Sequence, residues 1–463
     1  MIVHWHRRDL RGTDNHALAQ AASTGSVIPV FVIDPTLVEF AGAPRVTFML
    51  DCLSSLRHWY RERGSDLVVR VGDPATELPA IGHQYEANDI VWNDDYSGLA
   101  TRRDTSVRTS LHNEGITETT YADAYLYAPG SITTQTGDPY SIFSYFWEKW
   151  WNREPDPPYP PPNSGQLCAV SDTKLPTRRE LECPAPEADV PAGGTEVATH
   201  RLETFCDEPI YRYAERRDLP AANATSRLSP HLKWGTVGIR TVLEAVERAM
   251  ADAANETAAE SCQEFARQLA WRDFYGHVLA NAPQIVSTDY RTYDRPIRWR
   301  TDPAGLNAWK DGMTGFPIVD AGMRQLRDEA VMHNRVRMIV ASFLTKDLLI
   351  DWRAGYAWFR ETLVDHDPAN DAGGWQWVAG TGTDAQPYFR IFNPMTQGER
   401  YDPDAEYIRR YIPELETVPT VLIHSWTQLD PEERTGRAPA YPDPIVDHAV
   451  RRELAIEMFE EAR

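Results

Sequence analysis

The chain has 463 residues, 42% apolar and 25% charged, with 68 Asp+Glu against 47 Lys+Arg and a net charge of −21. That length implies about two or three domains and a core large enough to need no staples. It excludes a membrane-spanning helix, because no apolar run approaches the roughly 18 residues required, and five scattered cysteines without a C-x-x-C pair argue against a disulfide scaffold or a thiolate zinc site.

Met1–Leu10 is charged and lacks the apolar stretch of a secretory signal, so a cytoplasmic protein is expected. Only five cations are lysines (Lys149, Lys174, Lys233, Lys310, Lys346), and an acidic, Arg-rich surface suits high salt. The net charge repels nucleic acid on average. Any DNA binding therefore needs a local basic groove and depends on salt.

In chain order, Ile2–Trp5, Val27–Ile33, Leu67–Val71 and Ile90–Trp92 read as strands, with Thr117–Tyr121 a weaker fifth. Helical patterns lie between them at His16–Ala22, Val46–Arg63 and Arg102–His112, and Asp73-Pro74 offers a cap followed by proline at the first helical position. Near-continuous apolar strands alternating with helices predict an α/β, doubly wound parallel sheet over 1–127, with ligands at its carboxyl ends, where Arg7, Arg8, Asp34, Asp94 and Asp95 fall. Residues 128–200 read as a connector: ten of the 34 prolines lie in 151–200. From 201 to 463 the pattern is all-α. Val336, Ile339, Val340, Phe343, Leu344 and Leu348 mark one face of a buried helix.

Several common chemistries are missing. No lysine follows a glycine, so there is no P-loop, and no serine stands two residues after a glycine, so there is no nucleophile elbow. Gly380-Thr381-Gly382 lacks the third glycine of a dinucleotide fingerprint, and no H-E-x-x-H or tight histidine cluster marks a metal site. Three segments remain. Thr225-Ser226-Arg227-Leu228-Ser229-Pro230 places hydroxyls and an arginine before a helix that Ser229 caps, which suits an anion or simply a well-capped structural helix. Seven of the 15 tryptophans fall between 271 and 377, where indoles can stack on bases, carry an electron or fill a core. Asp365-His366-Asp367-Pro368-Ala369-Asn370-Asp371-Ala372-Gly373-Gly374-Trp375-Gln376-Trp377 packs poorly and reads as a loop, either solvated or lining a ligand, with Mg²⁺ ligation by Asp365 and Asp367 unsupported by any phosphate loop.

Together and in this order, these segments resemble the photolyase/cryptochrome family, closest to its class I cyclobutane pyrimidine dimer photolyases. The likeness extends to Trp5–Arg11 with Asp14-Asn15, to Trp271-Arg272-Asp273-Phe274-Tyr275, to Gly315–Trp352 with Met332-His333-Asn334-Arg335, and to Gly382-Thr383-Asp384 and Arg390–Pro394. It covers nearly the whole chain except the connector.

The resemblance implies one folded FAD. Tyr213, Thr225, Ser226, Arg227, Leu228 and Ser229 would hold its phosphate side, and Asp365, His366 and Asp367 its ribityl chain and ring, with Arg337 paired to Asp365. Trp375, Trp352 and Trp299 match an electron relay. Trp271 and Trp377 would clasp a flipped pyrimidine dimer, with Asn334 and Met338 at its base edges and Arg217, Arg272, Arg335 and Gln397 at DNA-contact positions. A second antenna chromophore, methenyltetrahydrofolate or 8-hydroxy-deazaflavin, would lie near Asn93–Tyr96 and Arg45. The implied activity is light-driven repair of dimers in UV-damaged DNA by a monomer. The alternative is a cryptochrome-type photoreceptor. Two departures bear on that choice: Asp371 replaces the usual Asn facing flavin N5, where a carboxyl can give a proton, and Gln268 replaces the Glu that contacts the dimer.

Overall fold

The computed structural model describes residues 1–170 and 174–463. Its sheet has five strands: β1 (Ile2–His6), β2 (Val27–Ile33), β3 (Val68–Val71), β4 (Asp89–Asn93) and β5 (Thr117–Tyr121). All pairs are parallel, in the order β3-β2-β1-β4-β5. Every residue of β2 is buried, as expected of an apolar strand covered on both faces. β5, with its polar TETTY sequence, is the half-exposed edge. Ile2 pairs with Val27 on one side and Asp89 on the other. The strand order therefore reverses at β1, and the carboxyl ends of β1 and β4 flank the switch point. Local caps set where the intervening helices begin. The side chains of Asn15, Asp34, Asp73 and Ser97 each accept a first-turn N–H, and Pro35 and Pro74 open their helices.

The connector holds more structure than its proline content implied. Phe143–Trp151 is a helix whose Phe143, Phe146 and Trp150 are buried in the large helical core, and helix Thr195–Asp207 starts before residue 200. The three-and-four spacing of those aromatics was the legible signal, hidden beside the proline run that follows it. The remaining stretch wraps the sheet domain: Leu167 bridges Val27, and Leu175, Leu181 and Val190 pack on that domain's core.

The second half is built around helix Glu256–Asn281, with helices Ile239–Ala251 and Pro368–Ala379 packed on it. The expected helix through Leu348 changes winding at Phe343–Asp347, a π-helical turn. One expectation is overturned. The polar stretch after Asp365 is a helix, Pro368–Ala379, and not a loop. Asp367 caps it by accepting from the Ala369 and Asn370 N–H groups at 3.1 Å, and Pro368 needs no donor there. Gly373 permits the close approach of its neighbour, since a Cβ there would lie 2.2 Å from the Tyr275 ring.

A buried charge network joins the two halves. Asp123 accepts from both Arg11 and Arg240, and Arg240 also donates to Asp14 at 2.7 Å. All four side chains are at most 4% exposed. Removing Asp123 leaves the Arg11 guanidinium without a carboxylate and Arg240 with Asp14 alone, in a desolvated site. Asp123→Ala is expected to cost about 3–5 kcal/mol, read as a lower urea midpoint, with Asp123→Asn losing less because it keeps an acceptor oxygen.

Candidate functional site

A cavity of about 610 Å³ opens between the helices of the second half. Four pieces of chain form its walls: the 223–233 loop and helix start, helix Glu256–Asn281, the start of helix Asn334–Ser342, and helix Pro368–Ala379. Of the residues singled out from the sequence, the cavity gathers Tyr213, Arg217, Thr225 to Ser229, Gln268, Trp271, Arg272, Asn334, Arg335, Arg337, Met338, Asp365, Asp367, Asp371, Trp375 and Trp377.

The loop departs from its expected cap. Ser229 is the first residue of a six-residue helix and Leu228 stands at the cap position, with its N–H donating to Ser226 Oγ at 3.3 Å. The Ser229 hydroxyl is thereby left to the cavity, because the loop turns one residue earlier. Arg227 takes a left-handed φ of 51°. A side chain held there costs roughly 1–3 kcal/mol and marks a site whose surroundings impose the conformation. Arg201, which the sequence gave no reason to notice, lines the same end of the cavity. Burial, with Arg227 facing it, holds its guanidinium below the usual value. Among the described residues neither arginine has a carboxylate partner.

At the opposite wall Arg337 Nη2 donates to both Asp365 oxygens at 3.0 and 2.8 Å. Asp367 receives Arg8 from the end of β1 at 2.7 Å. Burial pushes the Asp367 carboxyl up, but Arg8, Lys233, Arg272 and the capped N–H groups outweigh it and hold the group well below the usual carboxylate range. With guanidiniums on both, Asp365 and Asp367 are not placed to share a divalent cation. His366 does not line the cavity. Its ring lies behind, with Nδ1 2.6 Å from Asp371 Oδ2 and an edge contact to Tyr356, because the cap at Asp367 turns the chain there. Asp371 also accepts from the Asp367 N–H at 3.0 Å.

The tryptophans separate by burial. Trp375 and Trp352 are 3% and 0% exposed, while Trp299 is partly exposed. Trp375 packs on the helix that begins at Trp352, where a Cβ on Gly355 would lie 2.1 Å from its ring. Trp352 Nε1 donates to Asp289 at 2.8 Å, and the loop carrying Trp299 is tied to that region by Arg300 N–H to Leu349 O at 2.7 Å. Trp271 and Trp377 are both half-buried at the cavity. Phe143 stacks under Trp271 at 3.7 Å and 11°, an aromatic backing missed because the residue lay in the presumed connector.

The rim arginines carry partners. Arg217 pairs with Glu264 at 2.6 Å and Arg335 with Asp218 at 2.7 Å, while Arg272 lies 3.4 Å from Asp273. The positive charge of these rim arginines is therefore largely neutralised locally, as the excess of carboxylates favours. Gln397 stands outside the cavity lining, on helix Pro394–Tyr401. Near β4, Asn93 is committed to Asp9 and Asn15, Asp95 faces Arg8, and Arg45 donates to Phe40 O while facing Asp371. Among the described residues no helix is long and apolar enough to cross a membrane.

Comparison with known proteins is specific. The family described as DNA photolyase matches residues 2–163, and the FAD binding domain of DNA photolyase matches residues 265–461. A deoxyribodipyrimidine photo-lyase of Halobacterium salinarum is 57% identical over 100% of this chain and 99% of its own. Among solved structures, a bacterial class III photolyase from Agrobacterium tumefaciens superposes with a TM-score of 0.91 at 36% identity, over 100% of this chain and 97% of that one. A Synechocystis cryptochrome superposes at 0.90 with 26% identity, over 99% of each chain.

An FAD fits the residues present. The cavity lies within the roughly 300–1,000 Å³ typical of cofactor sites. Gly374 lines it with open space where a Cβ would stand, and Trp375 Nε1 is buried without a partner. The unpartnered Arg201 and Arg227 suit a diphosphate. Arg201→Ala is expected to weaken FAD binding about tenfold, the loss of one charge-assisted hydrogen bond, measured by flavin fluorescence titration of deflavinated protein; unchanged affinity would remove Arg201 from the site.

Proposed function

The chain belongs to the DNA photolyase family, and on that premise we propose that it is a light-driven lyase that splits cyclobutane pyrimidine dimers in DNA. The observation that carries this reading is the single cavity that joins the Thr225–Ser229 loop, the Asp365 and Asp367 carboxylates and the Trp271–Trp377 pair. Bound FAD in its reduced form supplies, on absorbing light, the electron that opens the cyclobutane ring.

The protein's own groups do the rest. Arg201, Arg227 and the loop hydroxyls hold the phosphate end, and Arg337 fixes Asp365 in the wall. Trp271, stiffened by Phe143, and Trp377 present aromatic faces to an extrahelical pyrimidine dimer, excluding water from it. Asn334 and Met338 meet its edges. A dimer is already poorly stacked and paired, so extruding it costs less than extruding normal bases, and that difference selects the lesion. Trp375, Trp352 and Trp299 lead from the cavity wall to a partly exposed indole, an arrangement suited to carrying an electron inward from the surface. We assign the protein a monomeric, cytoplasmic role, where it meets the DNA directly; an antenna chromophore of folate or deazaflavin type would feed the same site.

The cryptochrome alternative rests on Asp371 and on shape. Repair decides between them. The reduced protein under blue light is expected to restore dimer-containing oligonucleotides, and dimers that persist, bound no better than intact DNA, would refute the enzyme reading. Trp377→Ala is expected to lower affinity for the dimer by about 2 kcal/mol, some thirtyfold, with undamaged DNA little affected in the same gel-shift series. Trp299→Phe should slow photoreduction of the oxidised protein at least about tenfold while leaving repair by chemically reduced protein at the wild-type rate. Loss of repair in that variant would displace Trp299 from the relay.

A further inference from the structure

Building on that reading of the cavity, we propose that Glu264 is a positioning residue that fixes which polar atom Gln268 offers to the lesion. Glu264, Gln268 and Trp271 follow one another along one face of helix Glu256–Asn281, at i, i+4 and i+7. Gln268 Nε2 donates to Glu264 Oε1 at 3.1 Å and to the Glu264 main-chain oxygen at 3.3 Å. A carboxamide has two N–H groups, and both are now taken. The free polar atom on this stretch of cavity wall is the carbonyl oxygen, an acceptor.

Left alone, a glutamine turns over at little cost and offers either end. The carboxylate of Glu264 accepts only, so one orientation of the neighbouring amide is favoured and the other sets oxygen against oxygen. Glu264 is itself pinned, because its Oε1 also accepts from Arg217 Nη1 at 2.6 Å. Both members of that pair are 28% exposed, which puts the anchor at the lip where cavity meets rim. An acceptor fixed beside Trp271 matches a pyrimidine that carries a ring N–H. Thymine and uracil have one at N3, whereas the cytosine N3 is an acceptor and would oppose the Gln268 oxygen. Glu264 thus acts twice: it orients the base-reading amide and holds the Arg217 charge at the entrance.

The test is equilibrium binding in the dark, where no repair occurs, by the FAD-loaded protein. Three duplexes serve as probes: undamaged, carrying one thymine dimer, and carrying the same dimer methylated at N3 of both rings. In the wild type, methylation is expected to cost about tenfold in affinity, one hydrogen bond with its acceptor left unmatched. Glu264→Ala removes the carboxylate and leaves only the longer main-chain acceptor at 3.3 Å to orient the amide, so preference for the dimer over undamaged DNA should fall about tenfold and the methylation penalty shrink to about twofold or less. Glu264→Gln can still turn an acceptor oxygen to Gln268 Nε2. It should keep both ratios within about threefold of wild type while binding undamaged DNA more tightly, as Arg217 loses its anionic partner. A structural role alone would scale all three affinities together. The proposal is overturned if the methylation penalty is unchanged in Glu264→Ala, or if the Ala and Gln variants lose lesion preference equally. Should Glu264→Ala not fold, Gln268→Leu replaces it and must abolish the penalty; a penalty that survives there also overturns the proposal. A wild type without any preference for the dimer instead overturns the reading of the cavity itself, and the two failures are thereby told apart.

Discussion

A carboxylate at the head of a buried helix must find cations inside the protein, and Asp367 finds them across the domain boundary. Its Oδ1 caps helix Pro368–Ala379 and its Oδ2 takes the Arg8 guanidinium, delivered by the chain as it leaves β1. Arg8 also faces Asp95 at the end of β4. The switch point of the sheet, the usual ligand site of such a domain, is here used to brace a wall of a cavity in another domain. Close backbone approach makes this possible. Gly235, at a φ of 65°, passes under Arg8, and a Cβ there would lie 2.2 Å from the Arg8 carbonyl oxygen. Around that ion pair the Asp14–Arg240–Asp123–Arg11 network locks the same two halves with a second set of buried charges. Such networks are costly to desolvate and gain little net stability, but they tolerate few alternative arrangements, so they fix geometry more than they add strength. The Asp367 wall of the cavity takes its position from that fixity.

The acidic character of the chain shapes how it meets DNA. Arginines at the rim sit beside carboxylates, Arg217 with Glu264 and Arg335 with Asp218, so the phosphate attraction that dominates most DNA binding is blunted at its source. In concentrated salt that attraction is weak in any case, because the Debye length shrinks to about 3 Å at 1 M. On the proposed reading of the cavity, what remains is contact chemistry: stacking against Trp271 and Trp377, and the lower cost of extruding a lesion. The aromatic backing of Trp271 by Phe143 serves this regime, since a ring already held in plane loses less freedom when a base lands on it.

Much of this was legible in the sequence, for identifiable reasons. β1, β2 and β4 are buried on both faces and so read as nearly uninterrupted apolar runs, whose ends fell within a residue or two, while the polar edge strand β5 gave the weaker signal. Helix caps such as Asp73-Pro74 carry their signal in adjacent residues. The polar segment after Asp365 misled because its helix is amphipathic toward a cavity: one face carries Asp371 and Gly374 toward the ligand, and the other packs Gly373 on Tyr275, a pattern without apolar periodicity. Phe143 was obscured by the prolines after it. Arg201 had no signal at all. Its role comes from the absence of a carboxylate beside it and the presence of Arg227, which are facts of three dimensions.

The two positions where the chain departs from its family's usual residue each come with a neighbour that changes what the departure means. Asp371 alone would be an acid poised at the flavin. Here its Oδ2 has the His366 ring at 2.6 Å and the Asp367 N–H at 3.0 Å, while Arg337 lies 3.9 Å from Oδ1. The Asp367 N–H donates to this carboxylate oxygen, and burial lowers the His366 ring beside it below the usual imidazole range. Gln268 alone would be an ambiguous amide, and Glu264 removes the ambiguity. In both cases a charged or polar residue at the cavity has a second residue beside it, four positions away on the same helix at Gln268 and five positions away, just before the helix cap, at Asp371. The chemistry of such a wall belongs to the pairs, and reading Gln268 singly leaves open an orientation that its hydrogen bonds to Glu264 already favour.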